Sequence, residues 1–75
     1  MSFFKQMLEV LKYRLECAFT VIRESDNVFV CKGVSHYVNG VEMISEYLWA
    51  SALDSYDIVM IDNDTVKVIV KGVHK

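Results

Sequence analysis

Apolar residues Phe4, Met7, Leu8, Leu11, Leu15 and Ala18 recur at three- and four-residue steps, the spacing of a helix with one buried stripe. Ser2 precedes the stripe as an N-cap, and Lys5, Glu9, Lys12 and Glu16 alternate in sign along the opposite face. The stripe could run on through Ile22, but Thr20, Val21 and Ile22 are β-branched and favour a strand over 19–24. Ser25, Asp26 and Asn27 then read as a turn and 28–32 as the return strand of a hairpin, with Gly33 bulging or ending it.

A second helix is expected over 39–53. Asn39 is placed to accept from the amide three residues on while Glu42 reaches back, a capping box, and Val38 and Met43 are placed to staple the chain around it. At about 100° per residue, Val41, Ile44, Leu48 and Ala52 form the stripe that meets a core. Glu42, Glu46 and Leu53 point elsewhere, Trp49 falls at the boundary, and Tyr47 lies on the other flank.

Residues 56–61 form a nearly continuous apolar run and 65–70 alternate, so they pair as a second hairpin across Asp62, Asn63 and Asp64. A three-residue loop puts Tyr56, Ile58, Met60, Val66, Val68 and Val70 on one face and Asp57, Thr65 and Lys67 on the other; a two-residue loop would mix them. The element order α-β-β-α-β-β predicts an α+β fold over 1–75, a single two-layer sandwich. A four-stranded, mainly antiparallel sheet carries both helices on one face. The other sheet face then holds Val59, Ile61 and Ile69, unusually apolar for a face given to water, so these three residues are the expected interface of a homodimer.

Composition narrows the picture. With 75 residues, 53% apolar residues and no Pro, the chain folds as a small domain and is not disordered. A net charge of −2 argues against general nucleic-acid binding, but the charge is uneven. Between Gly33 and Val66 stand Glu42, Glu46, Asp54, Asp57, Asp62 and Asp64 without one Lys or Arg. The N-terminal apolar residues are interrupted by Lys5, Glu9, Lys12, Arg14 and Glu16, so neither a targeting segment nor a membrane span is expected and the setting is cytoplasmic. Cys17 and Cys31 lack a metal spacing; free buried thiols are the first expectation and a single disulfide the alternative.

Familiar chemistry is thin. His36 and His74 are the only histidines, and neither cysteine has a sequence partner that marks a nucleophile. Asp62-Asn63-Asp64-Thr65 has the alternation of a calcium loop but lacks its sixth-position glycine and twelfth-position acid, so a hairpin turn accounts for it. Gly33, Gly40 and Gly72 are too dispersed for a phosphate loop. The repeated helix-hairpin order resembles half of a LAGLIDADG-type homing endonuclease. That family's acidic, glycine-containing motif is replaced here by Glu16, Cys17, Ala18 and Phe19, so the resemblance is one of order alone.

These features predict no enzyme, cofactor or metal, and a small regulatory or inhibitory protein of the kind that phages and mobile elements encode. Its expected contact is an acidic patch centred on Trp49 with Glu42, Glu46, Asp54 and Asp57, which occludes a basic surface of another protein. One alternative is nucleic-acid binding through Lys5, Lys12, Arg14 and the C-terminal Lys67, Lys71 and Lys75; another is a structural homodimer packed through its sheet.

Overall fold

The computed structural model describes residues 2–72. Helix α1 (Phe3–Glu16) leads into strands β1 (Thr20–Ser25) and β2 (Val28–Lys32), and a single 3-10 turn (Val34–His36) leads into helix α2 (Gly40–Ala50) and strands β3 (Ser55–Met60) and β4 (Thr65–Gly72). The sheet order is β1-β2-β4-β3 with every neighbouring pair antiparallel. The α+β order expected from the pattern is therefore the observed one, and the difference lies in the second helix, expected over 39–53 and observed over Gly40–Ala50.

α1 starts as its sequence predicts: the Ser2 hydroxyl accepts from the Lys5 N–H at 3.2 Å, satisfying one of the amides a helix start leaves unpaired. It buries Leu8, Leu11 and Leu15, and Phe4, Met7 and Ala18 pack at the margin of the same core. The helix stops before Thr20, so the β-branched triplet is strand, and β1 hairpins onto β2 through Asp26 and Asn27. One feature is extra: Arg23 pairs with Phe29 but Ser25 with Val28, which leaves Glu24 as a bulge. Asn27 then fixes the hairpin tip to β4, donating from its amide to the Val70 carbonyl at 2.8 Å and accepting from the Val70 N–H at 2.9 Å.

Gly33 ends β2 at φ +91°, a left-handed conformation that L side chains resist, and the amides of Gly33 and Val34 both donate to the Asp64 carbonyl at 3.1 Å. The start of α2 departs from expectation. Asn39 occupies the N-cap position, but its side chain makes no capping bond, and Val38 is fully exposed, so neither the capping box nor the staple forms. The reason is Gly40: a Cβ there would stand 2.6 Å from Val34 Cγ1 and 2.7 Å from the Val34 carbonyl oxygen. Close backbone contact with the 3-10 turn sets the helix's approach angle, a task the staple was expected to perform.

The end of α2 differs for an equally local reason. The Leu53 N–H donates to the Leu48 carbonyl at 2.9 Å and the Ala52 N–H to the Trp49 carbonyl at 3.0 Å, while Ala52 adopts φ +60°. This is a Schellman termination with Ala at the left-handed position usually held by Gly, and it folds Leu53 back onto Leu48. Both leucines are fully buried. Leu53, expected to point away, is thus a core residue because it no longer follows the helical wheel. Ser51, also buried, accepts from Arg14 Nη1 at 2.7 Å, a bond that ties the last turn of α1 to the end of α2.

In the second hairpin Met60 pairs with Val66, Ile58 with Val68 and Tyr56 with Val70, the register that a three-residue loop requires. Val66, Val68 and Val70 alternate with outward Thr65, Lys67 and Ile69 and are fully buried. They join Phe29 and Cys31 of β2, the leucines of α1, and Ile44 and Leu48 of α2 in one cluster, so both helices cover the same sheet face.

Three measurements check this account. Leu48→Ala, which opens a cavity at a residue with no exposed surface, should cost about 2 to 5 kcal/mol and lower the urea midpoint. Ala52→Gly should raise stability by up to about 1 kcal/mol, the reverse of the usual effect of glycine, because it relieves the left-handed alanine. Both thiols are free, Cys17 exposed and Cys31 buried with its pKa pushed up to about 11 by desolvation. A thiol reagent should therefore modify one cysteine in the native protein and two in denaturant.

Candidate protein-binding surface

The helical wheel of α2 has Ile44 and Leu48 at its buried centre, with Met43 and Tyr47 packed against the core on one flank. Glu42 and Glu46 lie opposite, about 40° apart, and Trp49 lies beside Glu42. All three are exposed, and Trp49 is 70% exposed. Trp49 is thus placed on the solvent side, beyond the boundary position inferred from the pattern, because the buried arc extends from Ile44 and Leu48 toward Met43 and Tyr47, away from the Val41 flank on which Trp49 lies. The helix contains no basic residue, and the acids are not balanced along it.

The other acids of the expected patch fall in different places. Asp54 is exposed in the connection between α2 and β3. Asp57 pairs across from Ile69, on the sheet face turned away from the helices, and its carboxylate meets Lys71 Nζ at 2.8 Å. The structure therefore brings Glu42, Glu46 and Trp49 together and leaves Asp57 apart. Sequence separation concealed the base that pairs with it.

The outward sheet face holds Val59, Ile61 and Ile69, the first two 42% and 53% exposed. Register adds residues that the sequence argument left out: Ile22 pairs with Val30, Val30 with Lys67 and Lys67 with Val59, one row across all four strands. Val28 and Ile69 are neighbours in the next row. Alternation with the core residues Val21, Phe29 and Cys31 was the available signal for Ile22, Val28 and Val30.

The basic residues are scattered, and five of those described, Lys12, Arg14, Arg23, Lys67 and Lys71, are engaged. Lys12 meets Glu16 at 3.2 Å, Lys67 meets Glu24 at 3.1 Å, and Lys71 meets Asp57. Arg14 is bound to Ser51, while Lys5 is exposed on α1. Arg23 lies 5.0 Å from the Phe29 ring centroid and pairs with Glu9, whose carboxyl is held below its ordinary pKa mainly by that hydrogen bond. His74 and Lys75 lie outside the described residues. No group of three or more His, Cys, Asp or Glu side chains among the described residues is placed to hold a metal, and no described helix is long and apolar enough to cross a membrane.

Near the start of α2, Val38, Val41 and Glu42 face Met60 and Asn63 across a shallow cleft of about 260 Å³. Its floor is braced by Asp64, whose carboxylate accepts from the Ser35 hydroxyl at 2.5 Å and the Ser35 N–H at 3.1 Å. Asp64 in turn donates its own N–H to the Asp62 carboxylate at 2.8 Å, so the acidic run serves as a hairpin turn. At the other side of the 3-10 turn, Tyr37 donates its hydroxyl to the Ala18 carbonyl at 2.8 Å and meets the Phe19 ring edge-on at 5.3 Å.

The two Ser35 hydrogen bonds, that from the hydroxyl first, hold the Asp64 carboxyl below its ordinary pKa. A depressed carboxyl stabilises the fold above its unfolded pKa of about 3.9, and that contribution is lost as pH falls through the folded value. The urea midpoint of Asp64→Asn should therefore lie below that of the parent near neutrality, and the two should converge in acid.

Compared with protein family models, with curated proteins and with solved structures, the chain matches none.

Proposed function

We propose that the chain is a non-catalytic protein-binding module, a small regulatory or inhibitory protein that covers a basic surface of another protein with the outer side of α2. One observation carries the reading: a tryptophan 70% exposed stands beside Glu42 and Glu46 on a helix without a basic residue. Large aromatics that lose water at an interface centre commonly supply most of its binding energy, while the charges around them act on the rate of encounter. Asp54 extends the acidic side toward β3; Asp57, paired with Lys71, contributes little to such a field. The two free thiols support a reducing, cytoplasmic setting.

The scattered bases, most of them paired with acids, give little support to nucleic-acid binding, which draws its affinity from clustered cations. A second reading has its own observation. The outward sheet face carries Ile22, Val30 and Val59 in one row, with Val28, Ile69 and Ile61 beside it; Lys67, paired with Glu24, interrupts that row, and the apolar residues around it are what a homodimer stacking sheet on sheet would bury.

The experiment for the first reading is affinity capture with the immobilised chain from its native source, followed by kinetics on the captured protein. Trp49→Ala should speed dissociation about thirtyfold, an effect of about 2 kcal/mol. Glu42→Lys with Glu46→Lys should slow association, and this difference should shrink in high salt. Unchanged kinetics for a folded Trp49→Ala protein would remove α2 from the contact. For the second reading, light scattering at micromolar concentration should give twice the chain mass, and Ile69→Lys should return it to the chain mass with the fold retained.

A further inference from the structure

The two margins of the sheet are built differently. β1 carries Arg23 and Glu24 and is bent by the bulge at Glu24, features that hinder another strand from pairing along it. β3 forms the opposite margin and contains no Lys, Arg or Pro. Its one charge, Asp57, lies on the outward face and is held by Lys71. The Ile61 N–H donates to the Thr65 carbonyl at 2.9 Å. Antiparallel alternation from that bond turns the backbone groups of Val59 and Asp57 toward β4 and those of Met60, Ile58 and Tyr56 to the open margin.

The helix layer stops short of this margin at its Met60 end, while Tyr56 and Ile58 pack against the core. Met60 is 56% exposed although its cross-strand partner Val66 is fully buried. The gap is the cleft whose far wall is Val38, Val41 and Glu42. Because Val41 and Glu42 form that wall, the flank of α2 turned to β3 is the one on which Val41, Ser45 and Trp49 follow at four-residue steps. The cleft lies at the Met60 end of β3 and the first turn of α2, so a segment paired along β3 would pass Val41 and Glu42 there.

We propose that β3 is a docking edge for an extended, basic segment of the partner, which pairs with it as a fifth strand; this rests on α2 being the partner-facing helix. Long basic side chains on the inward side of that segment lay their stems over Met60 and Ile58 and carry their charges to Glu42 and Glu46. Apolar residues on its outward side continue the row that ends at Val59. Charge selects this occupant over a second copy. A copy pairing through its own β3 brings no Lys or Arg to meet Glu42 and Glu46, since none occurs between Gly33 and Val66.

The test uses the whole chain with a ten-residue peptide alternating valine and lysine, its valine-glutamate counterpart, amide hydrogen exchange by NMR and Trp49 fluorescence. The lysine peptide should slow exchange at Ile58 and Met60 at least tenfold, and the glutamate peptide should not. E42Q with E46Q, both at exposed positions, should weaken the lysine peptide at least tenfold. A change at Trp49 without protection on β3 would overturn the docking edge and leave the reading of α2 standing. Protection on β3 without a change at Trp49 would support the edge and remove Trp49 from the contact. Equal protection by both peptides would overturn the basic occupant, and protection that rises with protein concentration alone would assign the edge to a second copy. Neither signal would overturn both.

Discussion

Val66, Val68 and Val70 have no exposed surface and lie on the one strand that pairs with both β2 and β3, so each half of the sheet takes its register from them. The period of a strand is two, and a slip by one residue on either side would turn Thr65, Lys67 and Ile69 into the core. Both helices depend on this constraint because their leucines have no other surface to cover. In a chain of this size a single core supplies only a few kcal/mol of net stability, which leaves little tolerance for an alternative register.

What could be read from the chain beforehand was whatever short-range periodicity encodes. The stripe of α1, its Ser2 cap, the β-branched start of β1 and the register set by Asp62, Asn63 and Asp64 all lie within a few residues of the atoms that satisfy them. The misses have the opposite character. Asn39 lost its capping role to a backbone contact between Gly40 and Val34, and Leu53 entered the core because Ala52 turned left-handed after the helix. Neither event has a period. Of the candidate surface, the acids and the aromatic were legible as residue types, but the position of Trp49 depended on the buried arc extending toward Met43 and Tyr47 and leaving Val41 exposed, and the isolation of Asp57 depended on Lys71, fourteen positions away.

Charge is segregated by layer. On the strands, acid meets base: Glu24 with Lys67 and Asp57 with Lys71, while Arg23 reaches up to Glu9 on α1. These contacts are exposed and each contributes little to stability. Their effect is on the field, since they neutralise the sheet and leave α2 as the element whose own sequence holds acids and no base. A solvated helix face accounts for the glutamates alone; the exposed tryptophan among them is what a solvated face does not account for.

The sheet order also has a consequence for how the molecule assembles. Each hairpin closes within its own half of the chain, but Lys32 meets Thr65 and Val28 meets Ile69, so the β2–β4 seam joins positions 33 and 41 residues apart. Loop closure across that seam costs more chain entropy than closing either hairpin, and one core shared by both halves offsets that cost. The stretch between Gly33 and Asn39 links the two halves, so its length and stiffness set the chain entropy lost when the seam closes.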